Sequence, residues 1–127
     1  MNAEQVWQAA LLAALRGMAG LNGVYDGPPS RANAPWAELG DMLSTDWSTK
    51  DAAGRELRST ILLRDRAETP ERLHALAATA DDVVQAIARD LGDWQIASLI
   101  LIRLRIIRDR PGGWTGLIEH RVRMLHI

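Results

Sequence analysis

The chain has 127 residues, of which 47% are apolar and 24% charged, with a net charge of −1 and no cysteine. This composition is typical of one globular domain, predicted to span residues 1–127, and excludes a wholly disordered chain. The near-zero charge argues against a general nucleic-acid binder. The lack of cysteine excludes disulfides, thiolate nucleophiles and cysteine-based zinc sites.

No segment predicts a membrane span or a secretory signal. The N-terminus lacks a basic stretch. The longest apolar stretch, residues 96–107, is interrupted by Ser98, Arg103 and Arg105, and is not expected to cross a bilayer. A cytoplasmic protein without a membrane partner is therefore expected.

The first half of the chain predicts a helix followed by strands. Apolar residues recur at three- and four-residue steps from Asn2 to Met18, which is the pattern of an amphipathic helix. Val24-Tyr25 is a possible short strand, and a longer strand is predicted from Trp36 to Thr45, with Gly40 as a bulge. Residues 46–54 (DWSTKDAAG) are typical of an exposed, turn-rich loop.

The next two elements are a half-buried strand and the strongest predicted helix. Residues 55–66 alternate, and the predicted inward side chains are Leu57, Ser59, Ile61 and Leu63. For the helix, Thr69 is the expected N-cap, Pro70 the first helical residue and Gly92 the end. Its predicted buried stripe is Leu73, Leu76, Ala77, Ala80, Val83, Val84, Ile87 and Leu91.

Two long strands complete the chain. Residues 95–108 begin as a nearly continuous apolar run, which indicates a central strand covered on both sides or a strand at an interface. Pro111-Gly112-Gly113 predicts a hairpin turn. Residues 115–127 alternate, with Ile118, Val122 and Met124 inward and Glu119, Arg121 and Arg123 outward.

Together these elements predict an α+β fold. Strands joined by short turns, with two helices between them, favour a two-layer sandwich. We expect a mostly antiparallel sheet of four to five strands with both helices packed on one face.

The search for catalytic chemistry yields no candidate set. The three histidines, His74, His120 and His126, lack a third ligand at useful spacing and are interpreted as surface or interface residues. Asp81 and Asp82 are adjacent on a helix, so their carboxylates diverge, and both are expected to be solvated. No phosphate-binding glycine loop or nucleophile elbow is present. We predict no catalytic, cofactor-binding or metal-binding residues, and a protein that is not an enzyme.

Arginines on the last two strands keep a second class of function open. Arg103, Arg105, Arg121 and Arg123 would lie on neighbouring strands and form a basic patch. Aromatic residues suited to stacking on bases are sparse, and Glu119 lies among the arginines. The patch indicates either a protein interface or a small nucleic-acid-binding module.

Read in order, the landmarks of the chain resemble those of the tail-completion (tail-terminator) family of siphophage-type particles, particularly the version in gene-transfer-agent clusters of alphaproteobacteria. The DWSTK segment (46–50) followed by a glycine and a strand is the most specific of them. The other landmarks are the opening helix, VYDGPP (24–29), Leu39-Gly40, Arg64-Asp65-Arg66, the long helix, the 108–114 hairpin and IEHRV (118–122).

The resemblance implies a fold similar to the tail terminator of phage lambda, and assembly into a hexameric ring. Such a ring caps the head-proximal end of the tail tube, stops its polymerisation and joins it to the head connector. The implied partners are further copies of the chain, the tail-tube protein and the head-closure (stopper) protein. DNA passes through the lumen without being read, which a near-zero net charge suits. A head-closure protein of the same connector is the nearest alternative.

Several residues are predicted to contact a neighbouring subunit or the tail tube. For the loop residues the alternative is that Trp47 is a core residue at a strand end and that the others are solvated. Trp36 and Trp94 are expected in the core instead, and Trp114 is expected either to be exposed or to cap the sheet edge. The predicted interface residues are Trp47, Lys50, Asp51 and Arg55 in and after the loop, and Arg103, Arg105, Arg121 and Arg123 on the last strands.

Overall fold

A computed structural model describes all residues from 1 to 127. In chain order its elements are α1 (Ala3–Arg16), β1 (Val24–Tyr25), β2 (Trp36–Asp46), β3 (Gly54–Asp65), α2 (Glu71–Gln85), β4 (Trp94–Arg108) and β5 (Trp114–His126). Neither helix has the length and hydropathy needed to cross a membrane.

The five strands form one sheet in the order β1-β2-β3-β5-β4. Only β1 is parallel to its neighbour, and the three other pairings are antiparallel. Both helices pack on the same face of this sheet, where they bury the apolar side chains of the strands. The predicted α+β sandwich is confirmed.

The core lies between the helices and the sheet. Helix α1 contributes Trp7, Leu11 and Leu15, which are fully or almost fully buried. Its start is fixed by a reciprocal cap, because the Asn2 side chain accepts a hydrogen bond from the Gln5 amide while Gln5 caps Asn2 in return. The predicted inward positions are confirmed as buried in Leu57, Ser59, Ile61, Leu63, Ile118, Val122 and Met124.

Gly40 lies at a bulge, as predicted. The pairing of β2 with β3 shifts register between Leu39 and Met42. A Cβ on Gly40 would lie 3.4 Å from the Cβ of Thr60, in van der Waals contact with the neighbouring strand. The bulge restores the alternation of β2, so that Met42 and Ser44 lie on the helix side.

Both predicted ends of α2 are wrong. Thr69 does not cap the helix: Pro70 occupies the cap position, with no side-chain hydrogen bond. The helix ends at Gln85, well before Gly92, and the Arg89 guanidinium donates to the carbonyls of Gln85 and Ile87 at 3.0 and 2.8 Å. An arginine beyond the helix thus satisfies the carbonyl of its last residue, and lysine, arginine and histidine side chains often do so near helix C-termini.

Of the two alternatives predicted for residues 95–108, the central strand covered on both sides is wrong, while the strand at an interface stays a prediction. Strand β4 lies at the edge of the sheet and pairs only with β5. Its apolar run is therefore not explained by cover from both sides within this chain. Ile100, Leu101 and Leu104 are 39%, 38% and 37% exposed, so part of its apolar surface remains in water.

Candidate interaction surfaces

The sheet face opposite the helices, called the bare face below, has no layer over it. The strand registers and the bulge of β2 place six arginines, three glutamates and one aspartate on this face, which gives it a net charge of +2, whereas the chain as a whole carries −1. The rest of the chain therefore carries −3. The charged residues of the bare face are Arg58, Arg64, Arg103, Arg105, Arg121, Arg123, Glu38, Asp41, Glu56 and Glu119.

Ion pairs connect β3, β4 and β5 across the bare face. Arg123 Nε donates to Glu56 Oε1 at 2.9 Å, and Arg121 Nε lies 3.9 Å from the same oxygen. The hydrogen bond from Arg123 holds the pKa of Glu56 below its usual value, with smaller contributions from the charges of nearby arginines. Arg103 lies 3.4 Å from Glu119. The glutamates thus fix several guanidinium groups in place on an open surface.

The loop between β2 and β3 is joined to the bare face by Trp47. The Arg123 guanidinium stacks over the Trp47 ring, 5.5 Å from its centroid, and Trp47 is half-buried. Lys50 and Asp51 are exposed at the tip of the loop and form no ion pair within the chain. The structure therefore brings together Trp47 and Arg123, which sequence reasoning had assigned to separate groups.

Arg55 lies on the other side of the sheet. Its guanidinium donates to Ser44 Oγ at 3.0 and 2.8 Å and lies 3.4 Å from Glu4 of α1. The hydrogen bond that Glu4 accepts from Ser44 is the main cause of the lowered pKa of that carboxyl, and Arg55 contributes less. Arg55 thus ties the start of α1 to β2 and β3, whatever else it contacts.

A polar cleft of about 510 Å³ opens at the opposite end of the sheet, where sequence reasoning had placed no site. Glu38 is 3% exposed and accepts from Arg64 Nε at 3.0 Å and from Trp36 Nε1 at 3.2 Å. Arg66 stacks over the half-buried Trp36 ring at 5.9 Å. Trp36 is therefore a wall of this cleft rather than a core residue, and the alternation of β2 gave no sign that Glu38 is buried.

The two other tryptophans at the ends of the sheet pack against the core. Trp94 is 8% exposed, as predicted, and its ring meets His126 edge-on at 5.0 Å between centroids. Trp114 is half-buried, and its indole N–H donates to the Glu68 carbonyl at 3.3 Å. It covers the end of the sheet beside Arg108, whose guanidinium lies 5.6 Å from the ring centroid.

His120 is not a surface residue. Its side chain is fully buried between β3, β4 and α2, and its Nε2 lies 2.8 Å from Asp81 Oδ1. Asp81 is correspondingly part-buried rather than fully solvated, while Asp82 is exposed. The other ring nitrogen of His120 forms no hydrogen bond within the chain. No three His, Cys, Asp or Glu side chains converge as a metal site would require.

The two outer edges of the sheet differ. Along β4 the outward edge is unpaired and carries Arg103, Arg105 and Arg108, with no acidic residue. On the other side, β1 pairs with β2 only at Ala37 and Glu38, so the second half of β2 is also unpaired on its outer side. That half carries Asp41 and Asp46, no basic residue, and Leu43, which is 62% exposed.

Comparison with known proteins finds one matching family. The model of the family described as "Tail completion protein gp17" matches residues 8–125. No curated protein matches the sequence.

Two solved structures are similar over nearly the whole chain. One is a chain of the "Virion of native gene transfer agent (GTA) particle", with 24% identity, a TM-score of 0.70 and 93% of each chain covered. The other is the "Structure of bacteriophage SPP1 gp17 protein", with 19% identity, a TM-score of 0.61, and 98% of this chain and 91% of that one covered. At these identities the two likenesses show that the fold is shared.

Proposed function

Because the chain belongs to the tail completion protein gp17 family, we propose that this structural tail-completion protein is a tail terminator. Copies of the chain form a hexameric ring on the head-proximal end of the tail tube. The ring stops polymerisation of the tube and joins it to the head through the head-closure (stopper) protein. Assembly takes place in the cytoplasm, and the protein then resides at the head–tail junction of the particle.

The observation that supports ring assembly is that the subunit has two unlike lateral surfaces. A closed ring forms when one surface of a subunit fits a different surface of the next, since identical patches give a two-fold dimer instead. Here the β4 side is basic and apolar, whereas the β2 side is acidic and carries exposed Leu43. Such a subunit is suited to head-to-tail contacts.

The predicted interface residues fall on two surfaces that support this arrangement. Lys50 and Asp51 lie at the tip of an exposed loop, where they are free to contact a neighbouring subunit or the tail tube. Arg105 is exposed on the bare face and has no carboxylate partner in its own chain. The lumen passes DNA without reading its sequence, which the net charge of −1 suits.

The test is electron microscopy of particles from a producing strain that lacks this gene, with a strain complemented by the wild-type gene as control. We expect overlong tails, or tails detached from filled heads, and restoration of normal particles on complementation. Attached tails of normal length in the deletion strain would contradict the proposal.

A head-closure protein of the same connector is the nearest alternative, and the same micrographs separate the two. Loss of a terminator leaves tube growth unchecked, so tail length becomes variable. Loss of a stopper leaves tails of normal length that are detached from heads. A binding assay with the isolated protein distinguishes them independently. A terminator binds the tail-tube protein, whereas a stopper binds the connector adaptor.

The +2 charge of the bare face keeps a nucleic-acid-binding module, with arginines from Arg103 to Arg123, as a candidate of another class. That function requires binding to DNA that weakens with salt, with a slope that decreases when Arg103 or Arg105 is replaced by glutamine. We expect no such binding at moderate salt, because Glu56 and Glu119 neutralise part of the patch.

A further inference from the structure

The two unpaired edges of the sheet are unusual for a subunit that must stay soluble. Residues 97–102 of β4 (ASLILI) carry no charge, and Ile100 and Leu101 are exposed beside unpaired backbone N–H and C=O groups. Such an edge is a template for pairing with another strand, and proteins normally cover or charge it. An edge that remains apolar in the subunit is explained if another chain covers it in the assembly.

We propose that the β4 edge of one copy adds to the β2 edge of the next copy, so that one continuous sheet runs around the ring. The joined segments are residues 97–105 of β4 and residues 41–46 of β2, called the seam below. The inference rests on the ring of the proposed function and specifies how its subunits are joined.

The strand directions fit this seam. Three antiparallel pairings separate β2 from β4, so the two strands run in opposite directions within one copy. Rotation about a ring axis preserves the direction of each strand along that axis. Strand β4 of one copy therefore meets β2 of the next copy antiparallel, which is the more stable pairing.

The charges of the two edges select this seam over a symmetric one. Strand β4 carries three arginines and no acidic residue, whereas the free half of β2 carries Asp41 and Asp46 and no basic residue. A two-fold contact of β4 with β4 would bring six arginines together. A head-to-tail contact brings opposite charges together instead.

The registers within the sheet also predict which residues meet. Leu43, Arg58, Arg121 and Ile100 lie in one row across β2, β3, β5 and β4, with their side chains on the bare face. When the strands are parallel to the ring axis, the row of one copy continues into the row of the next, and Ile100 lies beside Leu43. Two exposed apolar side chains are then buried against each other.

The adjacent rows give compatible pairs. The row through Glu56 and Arg123 ends at Thr45 on β2 and at Ser98 on β4. Both side chains are small and uncharged, so this row brings no like charges together at the seam. In the other direction, the row that ends at Arg103 reaches β2 at the bulge that contains Asp41.

Disulfide cross-linking in assembled particles tests the seam. The chain has no cysteine, so Leu43→Cys with Ile100→Cys introduces the only thiols. Facing residues on paired antiparallel strands have Cβ atoms about 4.5–5.5 Å apart, close to disulfide distance. After mild oxidation, we expect a ladder of linked chains on a non-reducing gel, collapsing to monomer on reduction. Each single variant is the matched control and should give no ladder and no dimer.

The outcomes separate the seam from the proposed function. Two register-shifted pairs extend the test: Thr45→Cys with Ile100→Cys, and Leu43→Cys with Ser98→Cys. If all three pairs give normal particles and no ladder, the seam is overturned while the terminator function stands. A ladder from a shifted pair supports the seam with tilted strands. Dimers of Ile100→Cys alone would show that two β4 edges meet, and would overturn it. Normal attached tails in the deletion strain contradict the function, irrespective of any cross-link.

If the cysteine variants give no particles, an exchange of charges between the two edges tests the seam instead. Asp41→Arg and Arg103→Asp should each reduce the yield of tailed particles at least tenfold, and the double variant should recover most of the loss. A double variant no better than the worse single one would overturn the seam. Circular dichroism of the three purified variants distinguishes failure to assemble from failure to fold.

Discussion

The two faces of the sheet use the same strands for different purposes. On the helix-covered face, side chains such as Ile61, Leu63 and Ile118 are fully buried, and even the polar Ser59 accepts a hydrogen bond from Trp7. On the bare face, the residues between them are charged or left open to water. Alternation along each strand therefore places most of the buried apolar packing of the subunit on one face and most of the charged side chains of the strands on the other.

The largest effect expected in this comparison is at Trp7. This side chain is fully buried, and its indole N–H donates to Ser59 Oγ at 2.9 Å. Trp7→Ala should lower the free energy of unfolding by about 3–5 kcal/mol, measured by urea denaturation. The control is Trp47→Ala on the bare face, which should cost clearly less. Equal losses of unfolding free energy from the two substitutions would contradict the difference in packing between the two faces.

A smaller but still clear effect is expected at Asp81. Its carboxylate is the only hydrogen-bond partner of the fully buried His120 side chain. Asp81→Ala leaves both ring nitrogens unpaired in the core and should destabilise the fold by about 1–3 kcal/mol. The neighbouring Asp82→Ala removes an exposed carboxylate and should change the free energy by less than about 0.5 kcal/mol. A similar cost at both positions would contradict the buried contact.

The third prediction concerns pH. Asp65 is 2% exposed, and the hydrogen bond from the Arg72 guanidinium holds its pKa below the ordinary value of 3.8. A carboxyl with a lowered pKa in the folded state stabilises the protein above its unfolded pKa, and that contribution is lost as pH falls through the folded pKa. The urea midpoint should therefore fall as pH drops below 3.8. In Asp65→Asn this fall should be shallower, and an unchanged slope would argue against the contact.

The smallest effect is expected at Arg105, which is exposed on the bare face without a carboxylate partner. Arg105→Gln should change the free energy of unfolding by less than about 0.5 kcal/mol. Particle yield in a complemented deletion strain should nevertheless fall, since the residue lies on the basic edge of the seam. Full particle yield with unchanged stability would show that Arg105 does not contribute to assembly.

Much of the fold was predictable because the residue types along each segment match the burial of those residues in the structure. The capped first helix, the alternation around Leu57 and Ile61, and the bulge at Gly40 each have a signal within a few residues. The C-terminal end of α2 was mispredicted because it involves a different kind of contact. The Arg89 guanidinium donates to the Gln85 carbonyl only four residues away, and the periodicity of apolar residues carries no information about such side-chain-to-backbone bonds.

The sequence indicated which types of residue lie on the surfaces, but not which residues they contact. The arginines of the last strands were identified, but the partner of Arg55 is Glu4, which lies on a distant helix. The apolar run of β4 predicted either a central strand or a strand at an interface, because burial within the chain and burial by a neighbouring molecule favour the same residue types. His120 was misplaced for a related reason, since its partner Asp81 comes from an element far away in the sequence.

The charge difference between the two faces has a consequence at the scale of the particle. A surplus of +2 on one face and −3 on the rest of the chain makes the charge of each subunit uneven across its sheet. In a closed ring, the components of the subunit dipoles perpendicular to the axis cancel by symmetry. The field of the bare face then decays within roughly a Debye length, about 8 Å in physiological salt. A molecule passing the ring would be affected by this face only at close range.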